Sequence, residues 1–100
     1  MAKTIRVRID DDKGPVVRPV VVTLLNGEPV SLINETRDEV RVILPGAGID
    51  AVVPGDGRNN DKLDGQLAGL RSGRHRYAVY CNEVDDFAEG ASSPEIIIKP

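Results

Sequence analysis

The sequence predicts an all-β fold: an antiparallel Greek-key β-sandwich of seven or eight strands, a single domain over residues 1–100. Three observations point that way. Val and Ile together number 21 against seven Leu, and β-branched side chains suit a pleated surface better than a helix. Short runs alternate apolar and polar residues, the period-2 pattern of a strand with one face on a core and one in water. Turn residues separate these runs at close intervals with no strand–helix alternation, which favours a sandwich over an α/β fold.

The elements follow in order along the chain. Thr4 to Ile9 alternates Ile5, Val7 and Ile9 with Arg6 and Arg8, and Asp10-Asp11-Asp12-Lys13-Gly14-Pro15 ends that strand. Val16 to Leu25 is apolar with Pro19 inside it; because Pro cannot donate to a ladder, the segment reads as an edge strand or a bulged pair of short strands. Asn26-Gly27 signals a tight turn, after which Val30–Asn34 and Val40–Leu44 read as strands, the second stopped by Pro45-Gly46. From 45 to 73 the chain is glycine-rich and ambiguous. Ile49–Val53 looks ordered, and Leu63, Leu67 and Leu70 share a helical spacing weakened by Gly65 and Gly69, leaving a short helix turn or an irregular strand. His75 to Cys81 alternates cleanly, with His75, Tyr77, Val79 and Cys81 on one face and Arg74, Arg76, Ala78 and Tyr80 on the other. Ile96-Ile97-Ile98 forms the last strand.

Composition narrows function mainly by exclusion. The formal charge is -3, whereas a dedicated nucleic-acid binder carries a basic face. One Cys and one His leave no intramolecular disulfide or Cys-rich zinc site and few acid/base arrangements. No stretch approaches the roughly 18 apolar residues of a membrane span, so neither nucleic acid nor membrane insertion is expected. The alternating N-terminal segment is unlike an export signal. The chain as given reads as cytoplasmic, and as exported if it was trimmed of a signal peptide.

Three segments together resemble the cupredoxin family, the sandwich of plastocyanin and azurin, over roughly residues 16–99. Gly27-Glu28-Pro29-Val30-Ser31-Leu32-Ile33-Asn34 is similar to a family strand ending in Asn, Gly73–Cys81 with Tyr77 and Tyr80 to the strand that ends in Cys, and a closing apolar strand completes the set. The resemblance implies a copper site of two imidazoles, a thiolate and a weak axial ligand. In this chain those positions fall on Val40, Cys81, Val84 and Glu89, so only the thiol is kept. Val offers no lone pair, so the implied fold comes without type 1 copper and without a cofactor. His75 is too far along its own strand, about 20 Å at ~3.3 Å per residue, to share a metal with Cys81.

The remaining candidates each have a plain reading. Cys81 on an apolar face is a small buried hydrophobe, with no Lys, Arg or His adjacent on its own face to lower its pKa. His75 reads as a rim residue. Asp10-Asp11-Asp12 reads as a solvated turn, because consecutive side chains diverge and lack the spacing of a calcium loop. Asp56 to Gly65 fails as an EF-hand at Arg58 and Leu67, and Asn34-Glu35-Thr36 is a chance glycosylation match. Arg71, Arg74 and Arg76, with Arg58 as a further candidate, form a basic concentration that reads as a solvated sheet face paired with carboxylates. Its functional reading is a contact site for an acidic partner or anionic ligand, for which Tyr80 on the same outward face suits an interface anchor. Phe87, in the 85–90 loop, either plugs the vacated metal end or presents an apolar tip to a partner.

The sequence therefore predicts a non-catalytic, cupredoxin-like binding or structural module. It would act through a protein partner or through self-association at sheet edges, with Arg74, Arg76, Tyr80 and Phe87 as the contact candidates. Two alternatives stand beside it: a copper-handling or electron-transfer protein using Cys81 with Glu89 and a His75 from another copy, and an immunoglobulin-like accessory or adhesion domain. An enzyme would have to draw its carboxylates from Asp50, Asp56, Asp61 or Asp85.

Overall fold

A computed structural model describes residues 3–25, 28, 30–56, 58–59, 71–88 and 94–100. The β-branched alternation becomes strands throughout: β1 (Lys3–Asp10), β2 (Gly14–Arg18), β3 (Val21–Leu25), β4 (Val30–Asn34), β5 (Val40–Leu44), β6 (Ile49–Val53), β7 (Arg58–Asn59), β8 (Gly73–Arg76), β9 (Ala78–Cys81), β10 (Asp86–Phe87) and β11 (Glu95–Lys99). One 3-10 turn, Pro45–Ala47, follows β5, with Gly48 in the left-handed region at φ 67°. The strands form three sheets, in the orders β2-β1-β4-β7, β10-β9-β5-β6 and β3-β11-β8.

Two features depart from the sequence expectation. The segments exceed the seven or eight expected because two strands are interrupted and two short ones are added. Pro19, preceded by a cis peptide bond, splits the 16–25 run, and Tyr77 splits the 73–81 run. Each break also moves the chain from one sheet to another: β2 pairs with β1 whereas β3 pairs with β11, and β8 pairs with β11 whereas β9 pairs with β5. The pairing is also mixed, not purely antiparallel, since β1 runs parallel to β4 and β3 parallel to β11. Parallel neighbours need a long connection between them, and the excursions through β2–β3 and through β4–β10 provide it. Alternation in a single strand carries no information about its neighbour's direction.

The edge reading of the Pro19 segment agrees with the pairing, since among the described residues β2 and β3 each end a sheet. Leu25 and Glu28 close the turn after β3, with the Glu28 N–H donating to the Leu25 carbonyl at 2.9 Å; Asn26 and Gly27 themselves lie outside the described residues. So do Leu63, Leu67 and Leu70, and with them the helix-or-strand question. The triple-Asp segment is a turn, in which Asp10 Oδ1 accepts from the N–H groups of Asp12 (2.8 Å) and Lys13 (3.0 Å) and Gly14 follows at φ 77°.

Inward-facing residues from all three sheets meet in one cluster: Ile5 and Val7 of β1, Val17 of β2, Val22 and Leu24 of β3, Val30 and Leu32 of β4, Val40, Val42 and Leu44 of β5, Val79 and Cys81 of β9, and Ile96 and Ile98 of β11. Burial of this apolar surface is the main stabilising term. It gives a small compact all-β domain with a radius of gyration of 12.5 Å, as expected for a chain of about this length. Among the described residues no helix is long and apolar enough to cross a membrane.

Candidate functional site

The register of β9 between β5 and β10 fixes where the singled-out residues lie. Val40 sits directly opposite Cys81, and both are fully buried. After Cys81 the chain turns, with the Val84 N–H donating to the Cys81 carbonyl at 3.3 Å and Asp85 at φ 53°. The structure therefore brings Val40, Cys81 and Val84 together at one end of the β10-β9-β5-β6 sheet. Glu89 lies outside the described residues.

That end is tied down by the 35–39 loop. Asn34, fully buried, donates from Nδ2 to the carbonyls of Asp38 (2.8 Å) and Val53 (3.0 Å), and its Oδ1 accepts from the N–H (2.9 Å) and hydroxyl (2.7 Å) of Thr36. Further along the loop, the Arg37 N–H donates to Glu83 Oε1 at 2.6 Å, and Asn82 Nδ2 to Glu39 Oε1 at 3.2 Å. These bonds hold the two loops flanking Val40 and Cys81 against each other. The Asn34 amide nitrogen, the acceptor atom of the glycosylation pattern, is buried and already donates twice.

Burial pushes the Cys81 thiol up to about 11, with the nearby carboxylates of Glu83 and Asp86 adding to the effect. A metal ligand or nucleophile must be the thiolate, so this environment opposes both roles. His75 lies on β8, half-buried, and its Nε2 donates to the Arg71 carbonyl at 2.7 Å. Among the described residues no group of three His, Cys, Asp or Glu side chains is placed to hold a metal ion.

The partner candidates fall on two different sheets. Arg74 and Arg76 reach from β8 to the same carboxylate, Glu95 of β11, at 3.5 and 3.4 Å. Two guanidiniums on one carboxylate leave a net positive charge on that face, and exposed pairs of this kind contribute little to stability. Tyr80 and Phe87 lie on the β10-β9-β5-β6 sheet, directly opposite each other, with ring centroids 5.1 Å apart and planes at 75°. The edge-on contact is a favoured aromatic geometry. Phe87 thus belongs to a short strand, β10, where a loop was expected. Its ring packs on the face opposite Cys81, which overturns the reading of Phe87 as a plug for the metal end. Backbone pairing with β9 sets that placement, and nothing local to 85–90 announces it.

Two further residues complete this outer face. Arg41 lies opposite Tyr80, and Val52 lies opposite Arg41, so Phe87, Tyr80, Arg41 and Val52 form one row across four strands. Arg41 Nε donates to Asp50 Oδ1 at 2.7 Å, and Nη2 bonds Oδ2. This fork holds the Asp50 carboxyl below the usual carboxylate range. Phe87 and Val52, at the two ends of the row, are 43% and 49% exposed. A groove of about 260 Å³, lined by Glu39, Val40, Arg41, Val52, Tyr80 and Asn82, runs beside the row; it lies below the size of a typical small-molecule pocket. Sequence reading missed Arg41 and Val52. Their outward position is legible from alternation, but which outward residues become neighbours is set by register.

Compared with protein-family models the chain matches none, and no curated protein sequence matches it.

Proposed function

We propose that this chain is a non-catalytic, cupredoxin-like β-sandwich of Greek-key type, without type 1 copper, that works as a protein-binding module. Support for the architecture comes from the chain changing sheets at Pro19 and Tyr77 and from a single core drawing on every sheet, the pattern of strands that bend from one layer into the other. Support for the loss of copper comes from Val at both imidazole positions beside a thiol held protonated. The observation that carries the binding role is the exposed row Phe87–Tyr80–Arg41–Val52. It combines two aromatics, a guanidinium fixed in place and an aliphatic group on one sheet face, the composition of an interface anchor.

Affinity capture from an extract of the cells that make the protein tests this reading. Wild type, Phe87→Asp and the double variant Arg74→Glu/Arg76→Glu are compared as baits. A partner held by wild type and by the arginine variant but reduced roughly tenfold or more with Phe87→Asp supports the aromatic row as the contact. Loss only with the arginine variant moves the contact to the β8 face, and equal retention on all three baits sinks both.

A further inference from the structure

The outer edge of β3 carries a second inference, on a different sheet and independent of the contact at Tyr80 and Phe87. β3 ends the β3-β11-β8 sheet among the described residues. The Glu95 N–H donates to the Val20 carbonyl at 2.9 Å, which turns the main-chain groups of Val20, Val22 and Leu24 toward β11. Successive residues alternate, so those of Val21, Thr23 and Leu25 point off the open edge. An edge of this kind invites pairing with another strand.

Side chains from two other segments already occupy that edge. Lys3 Nζ, from β1, donates to the Thr23 carbonyl. Glu28 Oε1 accepts from the Leu25 N–H at 2.9 Å, while the Glu28 N–H donates to the Leu25 carbonyl at 2.9 Å. Lys3 and Glu28 approach each other to 3.9 Å, so the two caps form one ionic clasp over the groups an incoming strand would need. Beside it, Val21 and Leu25 are 47% and 64% exposed.

We propose that Lys3 and Glu28 form a clasp that keeps the β3 edge closed to strand addition, and that the strand it excludes is β3 of a second copy of this chain. The edge is self-complementary. In an antiparallel pairing centred on Thr23, the outward groups of Thr23 face those of Thr23 in the second copy, and Val21 faces Leu25. The Thr23 pair exchanges both main-chain bonds. At the Val21–Leu25 pairs the Leu25 N–H, once released by the Glu28 carboxylate, meets the Val21 carbonyl while the Leu25 carbonyl keeps the Glu28 N–H, and exposed apolar side chains lie side by side across the new junction. A two-fold arrangement of this kind closes at a dimer.

The test compares wild type with Lys3→Met, Glu28→Ala and the double variant by sedimentation over a range of concentrations, with circular dichroism to verify the fold. Opening the clasp tightens dimerisation by about tenfold or more, and adding Leu25→Lys reverses it. Amide exchange at Val21 and Thr23, read by NMR, slows in the associated form, while Val22 and Leu24 are protected in both. Each single variant removes one side-chain cap and serves alone should the double variant fail to fold. Unchanged association in the clasp variants, or tightened association that Leu25→Lys leaves intact, overturns the proposal.

Discussion

Asn34 is the residue on which the 35–39 loop depends, because a buried amide that satisfies two carbonyls and accepts twice cannot be replaced without leaving several groups unpaired. Buried polar groups stranded in this way cost about 1–3 kcal/mol each. Asn34→Ala is therefore expected to lower stability by about 2–4 kcal/mol, read as a lower urea midpoint at unchanged slope. Cys81 makes a prediction of opposite character. Its folded thiol ionises near 11 against an ordinary 9.0, so between those values the unfolded chain has released a proton that the native protein still holds. Stability is then flat below about pH 9 and declines as pH rises above it. At pH 8 an aromatic disulfide reagent should label Cys81 in urea but hardly at all in the native protein. Fast native labelling would show an accessible thiolate and reopen a redox or metal role. Both residues stood out in the sequence, Cys81 as a buried hydrophobe and Asn34 as part of a strand-ending motif. Asn34's four bonds were not legible, because they depend on carbonyls as distant as Val53.

Turns and loop junctions decide how the strands are joined. Gly55 packs so tightly beneath the 36–38 loop that a Cβ there would lie 2.7 Å from the carbonyl oxygens of Thr36 and Asp38 and 2.8 Å from the Arg37 carbonyl carbon. All three are backbone atoms and cannot swing away. Gly55→Ala is accordingly expected to cost about 1–3 kcal/mol by overpacking, checked by thermal unfolding; a neutral effect would mean that the loop yields. In the β1–β2 turn, the N–H groups of Asp12 and Lys13 hold the Asp10 carboxyl below its usual range. In that case the stabilisation is complete above the ordinary carboxylate range, about pH 4, and disappears as pH falls through the lowered native value, because the unfolded chain takes up the proton first. Asp10→Asn should flatten the acid limb of the pH–stability curve, an effect measurable by urea titrations between about pH 2 and 5. That the triple-Asp segment is a turn was evident from its composition. Which of the three carboxylates closes it was not, since that depends on where the β1–β2 register places Asp10 opposite Gly14.

At the scale of the molecule, one continuous core under three sheets implies one cooperative unit, so tyrosine fluorescence and far-UV circular dichroism should report coincident unfolding transitions. The absence of imidazole from the Val40 and Val84 positions leads to a spectroscopic expectation: Cu(II) added to reduced, metal-free protein gives no intense blue thiolate-to-copper band. A band that vanished in Cys81→Ser would make electron transfer the leading function. The sequence by itself determined the all-β class, most strand positions, and the inward and outward faces of the strands it marked by clean alternation. All of these follow from local alternation, β-branched content and turn chemistry, which act over a few residues. Only the tertiary structure decided the parallel pairing of β1 with β4 and β3 with β11, the separation of Arg74 and Arg76 from Tyr80 and Phe87 onto different sheets, the row formed with Arg41 and Val52, and the clasp of Lys3 and Glu28 over β3. Each of these joins residues far apart in the chain, and its geometry depends on register and strand direction, which are settled by burying all the inward faces in one core at once.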